Sequence, residues 1–182
     1  GVDHFCDESL YQNPDCRLTN SSGAYGTTIS EHLIMVCLML LRRQMEYTEI
    51  IRAGGWETLP GGIRSLHGAR ITVLGTGDIG TEFARRAQAF HPACITGVRR
   101  TVRSSDPAFT SIHAIAELDS VLPETDLLVM ALPSTAETAG ILSRERIALL
   151  PDSAFVVNVG RGTAIDQEAL CDALNAGQLA GA

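Results

Sequence analysis

From residue 70 onward the chain alternates between short apolar runs and amphipathic stretches. The runs 71–74, 94–98, 126–131 and 154–158 read as buried strands, and a further one begins at 179. Between them, 79–90, 116–121, 143–149 and 166–176 read as helices. Strands that are apolar throughout and each followed by a helix point to a parallel sheet covered on both faces. The pattern predicts an α/β fold with a doubly wound parallel sheet. Ser143 and Asp166 stand where helix N-caps belong. Arg146, three residues after Ser143, makes that a simple cap rather than a capping box.

The chain before residue 70 has a different rhythm. Residues 29–52 pattern as one long helix, with Glu31 in its first turn and Arg42 and Arg43 later. Its middle, Leu33–Leu41, is nine apolar residues in a row, apolar nearly all round, so burial on more than one side is expected. A core helix and a subunit-interface helix both fit this pattern. Nine residues are too few to span a bilayer, and no signal peptide is expected before them. Residues 1–28 are polar, with a short strand expected near 17–19. Gly54, Gly55, Pro60, Gly61 and Gly62 form a loop that separates the two regions.

Where the first strand ends, the sequence reads ITVLGTGDIG, closing on Gly75, Gly77 and Gly80. A strand that runs into glycines and opens a helix is suited to holding a dinucleotide pyrophosphate. The first glycine permits the tight turn, the second admits the phosphates close to the backbone, and the third packs helix on strand. The anion then meets the free N–H groups and positive dipole at the helix start.

Composition narrows the chemistry. The 182 residues are 45% hydrophobic, which suits one globular domain. The net charge of -7 argues against general affinity for nucleic acid or an anionic membrane. All 14 basic residues are arginine, so a Schiff-base lysine and a Walker-type phosphate loop are excluded from this chain. The five cysteines are scattered without a CxxC pair, which fits reduced thiols in a cytoplasmic protein rather than disulfides or zinc. None of the five histidines falls at the carboxyl end of an expected strand, and no HxxxH or HExxH spacing suggests a metal.

Ligands of open α/β sheets bind at the carboxyl ends of the strands. That edge collects the glycine turn, then Arg99, Arg100 and Thr101, then Leu132 and Pro133 within Ala131–Thr135, then Asn158–Gly162. A site for NAD usually has Asp or Glu after the second strand to accept bonds from the ribose hydroxyls. Here Arg99 and Arg100 stand there, with Arg103 close behind. An arginine fork suits a 2′-phosphate, so NADP(H) is favoured and NAD(H) remains possible; a solvated basic turn is the plainer reading. Arg161, between Gly160 and Gly162, could grip a substrate carboxylate and polarise the neighbouring carbonyl. It could equally cap a helix or pair at the surface.

Taken together, LGTGDIG, ALPSTAETAGIL and NVGRGTAIDQEAL resemble the D-isomer-specific 2-hydroxyacid dehydrogenases. So does the opening GVDHF followed by LTNSSGAYGTTISEH, and the likeness runs in order along nearly the whole chain. Within the family, the arginine pair resembles the NADPH-preferring glyoxylate/hydroxypyruvate reductase-like branch. The resemblance implies a Rossmann coenzyme domain over 29–182 that includes a long interface helix, and a segment 1–28 bordering a substrate domain. Asp78 and Ile79 would meet the pyrophosphate through the helix start. Arg99 takes the place of the usual ribose-binding acid. Leu132 and Thr138 match cofactor-contacting positions around the Leu-Pro turn, Val159 and Gly160 would line the nicotinamide side, and Arg161 matches the catalytic arginine.

The resemblance also implies what is missing. The family's catalytic Glu and general-acid His should lie beyond Ala182, and most of the substrate domain is absent, so the chain is expected to be a fragment that binds cofactor without turnover. The whole protein is expected to be a cytoplasmic homodimer that passes hydride from NADPH to a small 2-oxo acid such as glyoxylate or hydroxypyruvate. A non-catalytic, nucleotide-sensing dimerisation module of corepressor type is the alternative. A Rossmann protein for FAD or an adenosyl ligand is a third, disfavoured by Arg99 and Arg100.

Overall fold

The computed structural model describes residues 15–102 and 106–182. Five strands form one parallel sheet: β1 (Arg70–Leu74), β2 (Cys94–Arg99), β3 (Ser111–Ala114), β4 (Leu127–Met130) and β5 (Phe155–Asn158), in the order β3-β2-β1-β4-β5. The order reverses at β1, because the chain winds outward first through β2 and β3 and then through β4 and β5. That reversal opens a crevice above the carboxyl end of β1.

Helices cover both faces. α1 (Gly26–Leu41) and α3 (Asp78–Ala87) pack along each other on one side. There Leu33, Cys37, Ile71, Val73, Phe83, Leu127 and Val129 form a continuous buried cluster. The other side carries α4 (Leu118–Val121), α5 (Arg144–Ile147) and α6 (Gln167–Asn175) over Leu74, Val98, Leu128, Met130 and Val156. Successive residues of β1 and β4 therefore feed opposite cores, which is why these strands are apolar without alternation. Thr72, buried in β1, shares a 2.7 Å hydroxyl contact with Thr125 and so remains satisfied inside the protein.

Several expectations need correction. The long helix over 29–52 is two helices, α1 and α2 (Gln44–Arg52), broken where Arg43 takes a left-handed φ of 52°. No glycine or proline marks the break. Arg43 secures it by bonding Glu46 and the carbonyl of Pro60. The most buried positions of α1, Gly26, Ser30, Leu33, Cys37 and Leu41, form one stripe; Ile34, Val36, Leu38 and Leu40 beside it are partly buried against the same core, and Met35 is 48% exposed. Burial pushes the Cys37 thiol up to about 12, so it stays protonated.

No strand forms at 17–19, and the stretch from 179 contributes only the bridge of Gly181 to Phe155. β3 was not expected. It is a short edge strand, half-exposed along its length, so no apolar run announces it. Ser143 caps α5 by its backbone position, but its hydroxyl bonds Glu145 rather than a backbone N–H. Asp166 caps α6 as expected, accepting from the Ala169 N–H at 3.0 Å. The opening motif GVDHF, the first half of the 1–28 segment and Arg103 lie outside the described residues.

Candidate functional site

The three glycines of the β1 turn do three different jobs. Gly75 adopts φ +105°, a conformation that side chains resist, and a Cβ there would sit 2.7 Å from the Ala131 carbonyl oxygen. The turns after β1 and β4 therefore touch. A Cβ on Gly80 would run into the Gly75 carbonyl oxygen, so α3 starts directly against the turn. Gly77 caps α3, and a Cβ built on it meets nothing within 4 Å. This open cradle, at a helix start whose first N–H groups have no intrahelical acceptors, fits a pyrophosphate.

A second helix start converges on the same place. Gly26, the first residue of α1, lies so close to Asp78 that a Cβ would stand 2.5 Å from its carboxylate. Beside this contact opens a cleft of about 730 Å³. One wall is Gly77, Asp78 and Ile79; a second is Ala131, Leu132 and Pro133; a third is Val159, Gly160 and Arg161. Leu18, Thr19, Asn20, Ser21, Ser22, Tyr25 and Ile29 close the far side. Expected residues from three separate turns thus meet around one cavity, whereas Arg99 and Arg100 are not among the residues that line it.

The walls are held from behind. Asn158, the last residue of β5, accepts the Gly160 N–H at 2.9 Å and donates to the Arg161 carbonyl at 3.1 Å. Its side chain thereby fixes both ends of the loop that presents Arg161. A Cβ at Gly160 would come within 2.6 Å of the Leu132 carbonyl, so the β4 and β5 turns interlock. Thr138 is buried, and its hydroxyl donates to the Pro133 carbonyl at 2.7 Å while accepting the Thr135 N–H at 2.9 Å. The structure places Thr138 behind the Leu132-Pro133 turn rather than in the cleft lining.

Gly75 and Gly80 likewise lie beneath the cleft and shape it. Arg99 ends β2, half-buried. Arg100 follows, and its Nη1 lies 3.3 Å from Glu137 Oε2 in the loop after β4. Sequence reasoning missed the far wall of the cleft and Glu137. The run Thr19–Gly23 carried a signal, since a cluster of small polar residues leading into a helix start marks a loop with backbone free to line a ligand. Glu137 carried none, because its partner is 37 residues away. A second hollow of about 440 Å³ lies between the end of α1, Arg64 and Phe155, away from the carboxyl edge. The charged groups Arg43 and Glu46 on its rim already bond each other. Among the described residues no cluster of His, Cys, Asp and Glu could hold a metal ion, and no helix is long and apolar enough to cross a membrane.

The sheet order and the glycine turn at its switch point define a Rossmann-type α/β protein. Residues 34–182 match the family model described as D-isomer specific 2-hydroxyacid dehydrogenase, NAD binding domain, and the chain belongs to this family. It is 34% identical over 162 residues to glyoxylate/hydroxypyruvate reductase B of Pectobacterium carotovorum, covering 85% of this chain and 49% of that protein. The chain spans about half the length of the curated relatives it matches. Among solved structures, a family member from Xanthobacter autotrophicus in complex with NADPH and MES superposes with a TM-score of 0.80 at 28% identity, covering 99% of this chain and 72% of that one. The NADPH-dependent glyoxylate/hydroxypyruvate reductase of Sinorhizobium meliloti, in apo form, gives 0.76 at 27% identity, covering 87% and 80%.

Proposed function

We propose that this chain is the coenzyme-binding part of an NADPH-preferring reductase that converts a small 2-oxo acid, of the glyoxylate or hydroxypyruvate class, to the D-2-hydroxy acid. The observation that carries the reading is the single cleft in which the open Gly77 cradle, the Pro133 turn and Arg161 face one another. NADPH, when bound, supplies the hydride that adds to C2 of the oxo acid. The residues that would hold it are Gly77, Asp78 and Ile79 at the pyrophosphate, Arg99 and Arg100 at the 2′-phosphate, and Leu132, Pro133, Val159 and Gly160 along the nicotinamide half. Relatives that are named as reductases of glyoxylate and hydroxypyruvate, or were solved with NADPH, support both substrate and cofactor.

Arg161 supplies the substrate end. Its planar fork can bind the carboxylate of an oxo acid in two parallel bonds. As the C2 carbonyl oxygen gains negative charge, the same cation stabilises it more strongly than in the ground state. Asn158 keeps the loop from yielding as that charge grows, because both of its polar atoms are committed to the backbone of Gly160 and Arg161. A proton must then reach the new alkoxide. The turnover test is direct: full-length protein, offered glyoxylate or hydroxypyruvate, should oxidise NADPH and form the D-hydroxy acid. Binding of NADPH with no oxidation across a panel of 2-oxo acids would instead favour a nucleotide-sensing role.

The assembly is read as a homodimer. The exposed flank of α1 at Met35, together with Met45 and Ile51 of α2 and Trp56, which is 99% exposed, offers apolar surface that a second copy would cover. Sedimentation as a monomer at micromolar concentration would count against this. Cys16, Cys37, Cys94 and Cys171 are all free thiols, which supports a reducing, cytoplasmic setting.

A further inference from the structure

The Arg100–Glu137 pair has an unusual position. Arg100 follows β2, and Glu137 belongs to the loop after β4. In the sheet these strands flank β1 on opposite sides, so their ends stand about 10 Å apart. A contact between the two loops must cross the carboxyl end of β1. It therefore lies over the end of β1, beyond the residues that line the cleft around Arg161. Both side chains are largely in solvent, at 78% and 67% exposure, so the pair is weak and exchangeable.

We infer that Glu137 is a specificity-determining residue: it holds Arg100 across the adenosine end of the cleft and competes for it with the 2′-phosphate, so that it lowers the preference for NADPH over NADH. The inference rests on the proposed cofactor reading. A guanidinium bonded to a carboxylate must release it before forming a fork on a phosphate. NADPH binding thus exchanges one anion for another on Arg100 and leaves the Glu137 carboxylate close to a phosphate of like charge. NADH brings no such competitor, and the pair can persist above its ribose. Arg99, half-buried at the strand end, is outside this exchange. The arrangement explains how a site built on arginines retains NADH as a usable second cofactor.

The test is a set of equilibrium titrations of NADPH and of NADH against the unmutated protein, Glu137→Gln, Arg100→Ala and the double variant. Glu137→Gln removes the charge and keeps the shape. It should tighten NADPH binding about threefold to tenfold, the size of a weak exposed ion pair plus one relieved like-charge contact, and leave NADH within twofold. In the Arg100→Ala background the same change should gain less than half as much, because the competition has no object left. An unchanged NADPH affinity in Glu137→Gln, an equal gain for both cofactors, or a full gain without Arg100 each overturns the inference while the cofactor reading stands. If the unmutated protein does not prefer NADPH and Arg100→Ala changes nothing, the cofactor reading itself fails and takes this proposal with it.

Discussion

The two edges of the sheet use the same residue type in opposite ways. At the amino edge, Arg70 opens β1 and is locked to the strand beside it. Asp126, just before β4, accepts the Arg70 backbone N–H at 2.8 Å, Nε at 3.2 Å and Nη2 at 2.9 Å, and Glu124 takes the remaining nitrogen. At the carboxyl edge, Arg161 lines the cleft on a loop between two glycines, while Arg99 and Arg100 stand at the end of β2. One edge spends its arginine on joining neighbouring strands. The other places Arg161 at the wall of a cavity, where an anion can reach it. Charge alone does not separate structural from functional arginines; the backbone that carries them and the space in front of them do.

Substitution of the glycines gives the sharpest contrast. Gly80→Ala pushes a methyl into the Gly75 carbonyl and should cost about 3 kcal/mol, about 10 °C in Tm for a chain of this size. Gly77→Ala meets no protein atom within 4 Å, so thermal unfolding should barely move. NADPH affinity should fall about tenfold or more, because the methyl occupies the phosphate cradle. A large drop in Tm for Gly77→Ala, or intact NADPH binding, would remove the distinction between a packing glycine and an access glycine.

Next in size is the basic turn after β2. Replacing Arg99 and Arg100 together with Ala should erase about 1.5–3 kcal/mol of NADPH binding, tenfold to a hundredfold, and weaken its salt dependence while sparing NADH. Equal losses for the two cofactors would show that these arginines do not read the 2′-phosphate.

The amino edge should respond in stability alone. The Arg70 hydrogen bond holds the Asp126 carboxyl below its ordinary value. A carboxyl depressed in the folded state adds stability that is fully present above the ordinary carboxylate pKa, near 3.9, and is lost as pH falls through the lower folded value. Asp126→Asn should cost about 1–2 kcal/mol at pH 7, a figure kept modest because the pair is partly exposed. The difference in Tm between variant and parent should close as the pH is taken below the carboxylate range. A difference that persists undiminished in acid would mean that the side chain acts by shape and not by charge.

Much of this was legible in the sequence, and the boundary has physical causes. β1, β4 and β5 announce themselves because strands buried on both faces are mostly apolar, and β2 through its apolar run ending at Val98. The glycine turn is legible because only glycine satisfies its φ and its close contacts. β3 was invisible because an edge strand exposed on one side needs no apolar run. The break at Arg43 was invisible because a left-handed arginine held by Glu46 and Pro60 looks like any other helical residue in one dimension. Within the site, Gly77, Pro133, Gly160 and Arg161 could be placed from strand ends alone. The Thr138 hydroxyl behind the Pro133 turn and the Glu137 contact with Arg100 depend on how loops fold back, which strand periodicity does not encode.

The central claim is that Arg161 serves the substrate while the rest of the carboxyl edge serves the cofactor. Arg161→Lys keeps the charge and loses the bidentate fork. The most direct measurement is kcat/KM for glyoxylate or hydroxypyruvate with saturating NADPH in full-length protein carrying this change, set beside its NADPH dissociation constant. The account predicts a fall of about a hundredfold or more in kcat/KM, with NADPH affinity within twofold of the parent. Reduction at the parent rate, or a loss confined to NADPH binding, would contradict it.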